Sequence, residues 1–175
     1  MRLNLTPHPD FPCSALDAIE VEVTRPSPSA LALAYRAVGQ VAGVFLPPLS
    51  EPLATDELWR TTCFEAFLKP EGGGAYIELN FAPSTRWAAY RFTGYREGMA
   101  PLQIAPPRIE LRRDSDAIEL DVAFNLAAHL PPGPCRLAIT AVIEETDGAR
   151  SYWGLAHPGG RPDFHQAAGF AARLP

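Results

Sequence analysis

Between positions 59 and 87 the sequence carries aromatic and polar side chains of the kinds that recognise sugars: Trp59, Glu65, Asn80, Arg86 and Trp87. An indole stacks on the apolar face of a sugar ring, while carboxylate, amide and guanidinium groups hydrogen-bond its hydroxyls. We therefore predict that these residues bind a carbohydrate or a similar small polar ligand. The structural alternative is that both tryptophans anchor a core and that Glu65 pairs internally with Arg86 or Arg91.

A second group of candidate residues lies in the loop-like segment HPGGRPDFH, which contains His157, Asp163 and His165. Two histidines and a carboxylate in one loop have the chemistry to hold zinc or iron, but their spacing matches no strong metal motif. The alternative is that they satisfy backbone groups of the loop, as aspartate commonly does in turns. We include all three among the predicted ligand-binding residues and assign no metal ligand.

Catalysis by carboxyl groups is a further alternative. Glu65 and Glu78 could lie on neighbouring strands, and hydrolysis of a glycosidic bond needs two carboxyls that face one cleft. A hydrolase with Glu65 as its general base therefore stays open. The sequence has no GxSxG elbow and no glycine loop that leads into a helix, so serine-hydrolase and phosphate-loop chemistry are not expected.

Three predicted strands position the residues between Trp59 and Tyr90. Tyr76–Phe81 alternates between apolar and more polar positions, and Trp87–Phe92 alternates again. Cys63–Leu68 is apolar on both faces, which is typical of a central strand covered on both sides. The glycine-rich turn PEGGG joins the first two strands and predicts a hairpin.

The rest of the chain also has the pattern of short strands. Alternating or apolar runs predict strands at Leu16–Thr24, Leu31–Val38, Arg108–Arg112, Ile118–Phe124, Leu137–Glu144, Ser151–Ala156 and Phe170–Leu174, with a helix as the rival for the second run. A helical turn capped by Thr55 is expected before Trp59. With 19 prolines breaking the chain into pieces, we predict an all-β fold, a two-sheet antiparallel β-sandwich of roughly ten strands in one domain over residues 1–175.

Charge and cysteine content narrow the classes of partner and compartment. The net charge is −5 and there is no basic run, so a nucleic acid partner is not expected. The 3 cysteines are an odd number without a CxxC pair, which favours unpaired thiols in a reducing compartment. Neither a signal-peptide core nor a membrane-spanning apolar run is visible, so a soluble cytoplasmic protein is expected.

The segments LWRTTCFEAFL and YIELNFAPSTRWAAYRF resemble the DOMON-like superfamily, in particular family 9 carbohydrate-binding modules and their bacterial relatives. The later segment IEETDGARSYWGLAHPGGRPDFH is similar to the C-terminal part of those bacterial relatives, and the whole resemblance covers about residues 56–170. It implies a jelly-roll-like sandwich of two antiparallel sheets. In the sugar-binding members a terminal sugar lies between two tryptophans and is held by charged and amide side chains.

The resemblance also implies roles for particular residues. Trp59 stands at the position of one stacking tryptophan, Glu65 at that of the family glutamate, and Arg86 near that of the family arginine. The sequence departs from the family at Thr61 and Thr62, where sugar-binding members often have acidic residues, and Phe164 and His165 occupy the region of the second tryptophan. Structural calcium occurs in sugar-binding members. Haem bound through methionine and histidine occurs in other DOMON domains, which here would involve Met99 with His157 or His165.

Overall fold

Twelve β-strands and three short 3₁₀ turns form the regular structure of the computed structural model, which describes residues 1–127, 129–131 and 133–175. The turns span Val41–Gly43, Leu58–Arg60 and Ala167–Gly169. The strands are β1 (Arg2–Pro7), β2 (Leu16–Thr24), β3 (Ala30–Gly39), β4 (Cys63–Pro70), β5 (Tyr76–Phe81), β6 (Trp87–Phe92), β7 (Ala100–Pro101), β8 (Arg108–Arg113), β9 (Ala117–Asn125), β10 (Cys135–Glu144), β11 (Arg150–Gly154) and β12 (Ala172–Leu174). The predicted all-β class is therefore confirmed.

Alternation of apolar and polar residues accounts for the strands away from the candidate site. In β2, Ile19, Val21 and Val23 are buried, whereas the residues between them are exposed. Strand β3 follows the same period of two, with Leu33 and Tyr35 buried, so the helical alternative for this segment is wrong. A period of two places every second side chain on the same face, and burial of that face stabilises the strand.

The strands follow one another in a single hydrogen-bonded order, β7-β6-β5-β4-β10-β11-β1-β2-β3-β9-β8, and β12 pairs with β10. Strand β1 changes partner along its length. Residues 2–5 pair with β2, whereas Thr6 and Pro7 pair with Gly154 and Trp153 of β11. This change of partner makes the sheet continuous between its two halves.

The sheet folds over so that β3 and β9 face β4 and β5 across the main core. The phenol of Tyr35 donates a hydrogen bond of 2.9 Å to the backbone carbonyl of Glu65. The ring centroids of Tyr35 and Phe64 lie 4.9 Å apart, and those of Phe81 and Phe124 lie 5.5 Å apart. Because the hydrogen bonding makes one curled sheet, the expectation of two separate sheets in a jelly-roll-like sandwich is not confirmed.

Strands β4 to β6 are covered on both of their faces, as the apolar run from Cys63 predicted. On β4, Phe64, Ala66 and Leu68 belong to the main core. The intervening Cys63 and Phe67 belong to a second apolar cluster on the opposite face. We call that opposite face the outer face of β4–β6. Glu65 lies on it because it is in phase with Cys63 and Phe67.

Three details of the fold differ from the sequence-based expectations. The count of roughly ten strands omitted β1 and β7, and β7 lies inside a segment that was expected to be a loop. The 3₁₀ turn before the site begins at Leu58, and Thr55 is not its cap as expected. Its cap is Glu57, which has a positive φ of 59° and makes no side-chain capping bond. Among the described residues, no helix has the length and apolar character required to cross a membrane.

Candidate functional site

A cavity of about 340 Å³ lies against the outer face of β4–β6. Its volume is within the range of small-molecule sites. Strands β4 to β6 form its floor, and the covering residues come from the 3₁₀ turn at Leu58–Arg60, from the loop after β6, from β11 and from the loop that follows it. The lining residues are Trp59, Glu65, Phe67, Glu78, Phe92, Arg96, Met99, Tyr152, Pro162, Asp163, Phe164 and His165.

Glu65 supplies one of two buried carboxyl groups in this cavity. It is only 2 % exposed, and its Oε2 accepts a hydrogen bond of 3.0 Å from the Thr140 hydroxyl on the adjacent strand β10. Burial and the nearby Glu78 carboxyl raise the pKa of Glu65 well above its usual value, and the Thr140 bond lowers it only in part. Burial therefore favours the protonated form of this carboxyl.

Glu78 supplies the second buried carboxyl from the neighbouring strand β5. The register pairs Glu65 with Asn80 and Phe67 with Glu78, so the two carboxyls lie diagonally on one face. The Asn80 amide donates a hydrogen bond of 2.8 Å to Oε1 of Glu78. Burial raises the pKa of Glu78 to about 7, against the opposing effects of that bond and of the Arg96 charge. Glu78 is consequently poised between its two protonation states near neutral pH.

His165 closes one side of the cavity in an uncharged form. Its Nδ1 lies 2.7 Å from the phenol oxygen of Tyr76, and its Nε2 lies 3.8 Å from Oε2 of Glu78. Burial lowers the pKa of His165 to about 4, with Arg96 acting in the same direction and Asp163 in the opposite one. The imidazole is thus neutral at pH 7 and does not compensate the Glu78 charge.

Arg96 brings a permanent positive charge to the wall of the cavity, but this charge already has a partner. Its Nη2 and Nε lie 2.7 and 3.2 Å from Oδ1 of Asp163. The phenol of Tyr95 also donates a hydrogen bond to Asp163. Two donors of one guanidinium on the same carboxylate hold both side chains in place.

Aromatic rings form much of the remaining lining. Trp59 is half-buried on its 3₁₀ turn, and its ring centroid lies 6.0 Å from that of Tyr90 at an interplanar angle of 67°. This edge contact orients the indole beside the cavity. The other aromatic lining residues are Phe67, Phe92, Tyr152 and Phe164.

Four of the eight predicted ligand-binding residues therefore line the cavity: Trp59, Glu65, Asp163 and His165. Asn80 adjoins it through its hydrogen bond to Glu78. Their roles in binding stay predictions. Sequence reasoning noted Glu78 as a polar candidate but did not include it in the site, although it shares the face of Asn80.

The other three predicted residues lie elsewhere. The Nε of Arg86 donates a hydrogen bond of 3.1 Å to the Ser50 hydroxyl in a surface turn. Trp87 points into the main core, because it is in phase with Ala89 and out of phase with Tyr90. His157 bonds the backbone oxygen of Thr6 at 2.7 Å. Arg86 therefore does not line the cavity that contains Trp59 and Glu65.

The structural alternative, in which both tryptophans anchor a core and Glu65 pairs with an arginine, is correct only for Trp87. Trp87 does anchor the core, as that alternative held. Glu65 has the Thr140 hydroxyl as its hydrogen-bond partner rather than Arg86 or Arg91, and Arg91 is exposed. A carboxyl without a cationic partner is thus a real feature of this site.

Sequence reasoning missed most of the cavity wall. Phe67 and Phe92 were detectable in principle. Phe67 is in phase with Glu65 on β4, and Phe92 is in phase with Tyr90 on β6. Arg96, Met99, Tyr152 and Phe164 come from segments whose position depends on the tertiary fold. No local pattern in those segments indicates that they meet the outer face of β4–β6.

The histidine-rich loop does not converge in the way that a metal site would require. His157 and His165 bond different parts of the chain, Thr6 and Tyr76. Within residues 1–127, 129–131 and 133–175, no three histidine, cysteine or acidic side chains are grouped closely enough to hold a metal ion. The haem and calcium implied by the family resemblance stay predictions.

Comparison with known proteins identifies similar folds but no close relative. No family model matches the chain, and no curated protein matches its sequence. The fold is similar to that of a "putative carbohydrate-binding protein" from Bacteroides uniformis ATCC 8492, with 14% identity, a TM-score of 0.69 and coverage of 97% of this chain and 83% of that chain.

Two further solved structures show a weaker likeness. Both are of a family 9 carbohydrate-binding module from Caldicellulosiruptor kristjanssonii, one in complex with glucose and one with cellotriose. They cover 81% of this chain and 69% and 68% of their own, with identities of 13% and 14% and TM-scores of 0.46 and 0.47. The likeness to the Bacteroides protein shows a shared fold.

Proposed function

We propose that this protein is a non-catalytic binding module whose cavity on the outer face of β4–β6 holds a carbohydrate or a similar small polar ligand. The observation that carries the proposal is the presence of the half-buried Trp59 indole in the same cavity as the buried carboxyls of Glu65 and Glu78. An aromatic ring beside a few fixed polar groups is the usual composition of a small-molecule site.

The arrangement of the polar groups supports this proposal. Glu65 and Glu78 stand on paired central strands, and hydrogen bonds from Thr140 and Asn80 hold their carboxyls in position. Groups fixed in this way lose little conformational freedom when a ligand binds. A carboxyl that is protonated near neutral pH can both donate and accept hydrogen bonds, which suits a sugar hydroxyl.

The same proposal includes the domain organisation and the arrangement of the sheet into layers. We infer that residues 1–175 act as one module and that the two halves of the curled sheet serve as the two layers of a DOMON-like, jelly-roll-like sandwich. The carbohydrate-binding description of the Bacteroides protein agrees with this proposal. Fold alone does not determine a ligand, so the contents of the cavity carry the argument.

The proposal is tested by measuring binding of a panel of neutral mono- and oligosaccharides by isothermal titration calorimetry. Wild-type protein is compared with Trp59→Ala and with Leu49→Ala, a matched loss of an exposed apolar side chain away from the cavity. We expect Trp59→Ala to weaken sugar binding at least tenfold, because the stacking of the sugar on the indole is lost. Leu49→Ala should leave sugar binding unchanged. Absence of sugar binding by the wild type, or equal binding by all three proteins, overturns the proposal.

A hydrolase is the second candidate function, and the pKa values of the paired carboxyls favour it. Glu78, with a pKa of about 7, has the value expected of a general acid or base at neutral pH. Burial also raises the pKa of Glu65, the base assigned from the sequence, which favours its protonated form and the role of a proton donor. Release of reducing ends from oligosaccharides by the wild type, with none from Glu78→Gln, would identify an enzyme instead of a binding module.

A further inference from the structure

The two carboxyls of the cavity lack a positive partner within the described part of the chain. Glu65 is 2 % exposed and Glu78 is 5 % exposed. Among the described residues, hydrogen bonds reach Oε2 of Glu65 and Oε1 of Glu78 but not the other oxygen of either carboxyl. Both groups line the open cavity, so a ligand can reach these free acceptors.

The neighbouring basic groups do not act as a positive partner for the two carboxyls. The Arg96 guanidinium is engaged by Asp163 through two of its donors. His165 is uncharged at neutral pH, and its Nε2 lies 3.8 Å from Oε2 of Glu78, beyond hydrogen-bond distance. Two buried carboxylates without a counter-charge are costly, so in the free protein protons neutralise them.

The rest of the cavity has the composition of a cation site. The rings of Trp59, Phe67, Phe92, Tyr152 and Phe164 line the same space as the two carboxyls. The face of an aromatic ring attracts an ammonium group, and this attraction is strongest where water is displaced. A neutral sugar would use the aromatic faces and could hydrogen-bond the carboxyls, but it would not supply the positive charge that both carboxyls lack.

We propose that the ligand of this cavity carries a protonated amine, as an amino sugar does, and that its ammonium group lies between Glu65 and Glu78 against the aromatic lining. This inference rests on the proposed binding function and names the ligand class of the same site. The ammonium supplies a positive charge beside the two carboxyls. Its N–H groups donate hydrogen bonds to the carboxyl oxygens that otherwise accept none.

Binding of such a cation transfers protons from the protein to solvent. Burial favours the protonated forms of Glu65 and Glu78 in the free protein, whereas the bound ammonium favours both carboxylates, so up to two protons leave for the buffer. Affinity therefore rises with pH as these carboxyls ionise, by up to about tenfold per unit for each proton released. The other titratable and charged groups on the cavity side of the pair are Cys63, Tyr76, Tyr90, Arg96, Asp163 and His165. Tyr35 lies on the core side of β4 and bonds the backbone of Glu65.

None of these neighbours reverses the expected direction. Burial raises the pKa values of Tyr35, Cys63, Tyr76 and Tyr90, so these groups stay neutral between pH 5.5 and 7. His165 is neutral over the same interval, because its pKa is about 4. Arg96 and Asp163 remain a charged pair throughout.

Calorimetry with the whole protein tests the proposal. The probes are glucosamine, N-acetylglucosamine and glucose, their β-1,4-linked tetramers, and choline, whose ammonium cannot lose a proton. We expect the glucosamine series to bind at least tenfold more tightly than its neutral counterparts at pH 7 and low salt. Titrations in two buffers with different ionisation enthalpies should show proton release, and affinity should fall when the pH is lowered to 5.5.

Isosteric variants separate the charge from the shape of the site. Glu65→Gln and Glu78→Gln should each lose at least tenfold more affinity for the amine than for the neutral sugar, because glutamine keeps hydrogen-bonding groups but cannot carry the negative charge. The matched control is Glu110→Gln on β8, which removes an exposed carboxyl outside the cavity. It should leave both affinities unchanged.

The outcomes distinguish this inference from the proposed function. Neutral sugars that bind as tightly as the amines, or amine binding that survives both glutamine variants, overturn the ammonium proposal and leave carbohydrate binding intact. Binding of choline without any sugar supports ammonium recognition and overturns the carbohydrate function. A wild-type protein that binds none of the probes overturns both.

Discussion

The phenol oxygen of Tyr76 lies 2.7 Å from Nδ1 of His165, while Nε2 of the same imidazole lies 3.8 Å from Oε2 of Glu78. The backbone N–H of Arg96 donates to the same phenol oxygen at 3.2 Å. We infer that the phenol proton is directed at Nδ1, which leaves the imidazole proton on Nε2, towards Glu78. His165 can thus present a neutral donor to a ligand.

Replacement of Tyr76 by Phe should remove the hydroxyl that favours one tautomer of His165 while keeping the aromatic ring. The stacked contact with Phe92, at 4.7 Å between centroids, is kept. Nδ1 of His165 and the N–H of Arg96 both lose their partner, so we expect the free energy of unfolding to fall by about 1–3 kcal/mol. Urea denaturation measures this loss, and nitrogen NMR shifts report the tautomer. An unchanged proportion of the Nε2–H form in Tyr76→Phe would contradict the assigned role.

The raised pKa of Glu78 makes stability depend on pH in a defined direction. A carboxyl with a pKa of about 7 in the folded state and about 4.5 when unfolded binds its proton more tightly in the folded protein. Its contribution is present below about pH 4.5 and is lost as the pH rises through 7. Glu78→Gln keeps the neutral form, so relative to wild type it should gain up to about 3 kcal/mol between pH 4.5 and 8.

Denaturation with urea at several pH values checks this prediction. Glu110→Gln serves as the control, because its carboxyl is exposed on β8. The pH dependence of the Glu78→Gln difference is compared with that of this control. A Glu78→Gln difference that is the same at pH 4.5 and pH 8 would show that Glu78 titrates normally in the folded protein.

The hydroxyl of Thr140 should lower the pKa of Glu65, and Thr140→Val tests this. Valine preserves the shape of the buried side chain but removes the hydrogen bond to Oε2 of Glu65. The pKa of Glu65 should rise further, because the bond stabilises the carboxylate. Carboxyl carbon NMR shifts of Glu65 followed from pH 5 to pH 9 measure the change, and a lowered pKa would contradict the prediction.

Tyr35 connects the two halves of the folded sheet through one hydrogen bond. Tyr35→Phe retains the ring packed on Phe64 and removes only the donor to the Glu65 carbonyl. We expect a loss of about 1 kcal/mol in the free energy of unfolding, with an unchanged slope against urea concentration. A change in that slope would indicate that the halves separate instead of losing a single contact.

Local patterns predicted the floor of the site but not its walls. The bounds of β5 and β6 agree with the expected Tyr76–Phe81 and Trp87–Phe92, because alternation specifies both the strand and the face of each side chain. The same alternation placed Trp87 opposite Tyr90, so its position in the core was readable from the sequence. The choice of Trp87 as a ligand residue rested on residue type and not on phase.

The walls were not predictable because they depend on contacts between distant segments. Arg96 meets Asp163 across 67 positions of sequence, and no periodicity connects them. Strand β7 is only two residues long and is defined by pairing with Tyr90 and Arg91. Segments of this kind take their conformation from the surface on which they pack, so their sequences contain little local information.

The change of partner along β1 has a consequence for the order in which the strands can pair during synthesis. Thr6 pairs with Gly154, 148 positions later in the chain, while the preceding residues of β1 pair with β2 nearby. During synthesis β1 and β2 can form a hairpin early, but the last residues of β1 have no partner until β11 has emerged. The exposed edge of that hairpin is open to pairing with other chains in the interval. This protein should therefore be most prone to aggregate as a nascent chain truncated before residue 150.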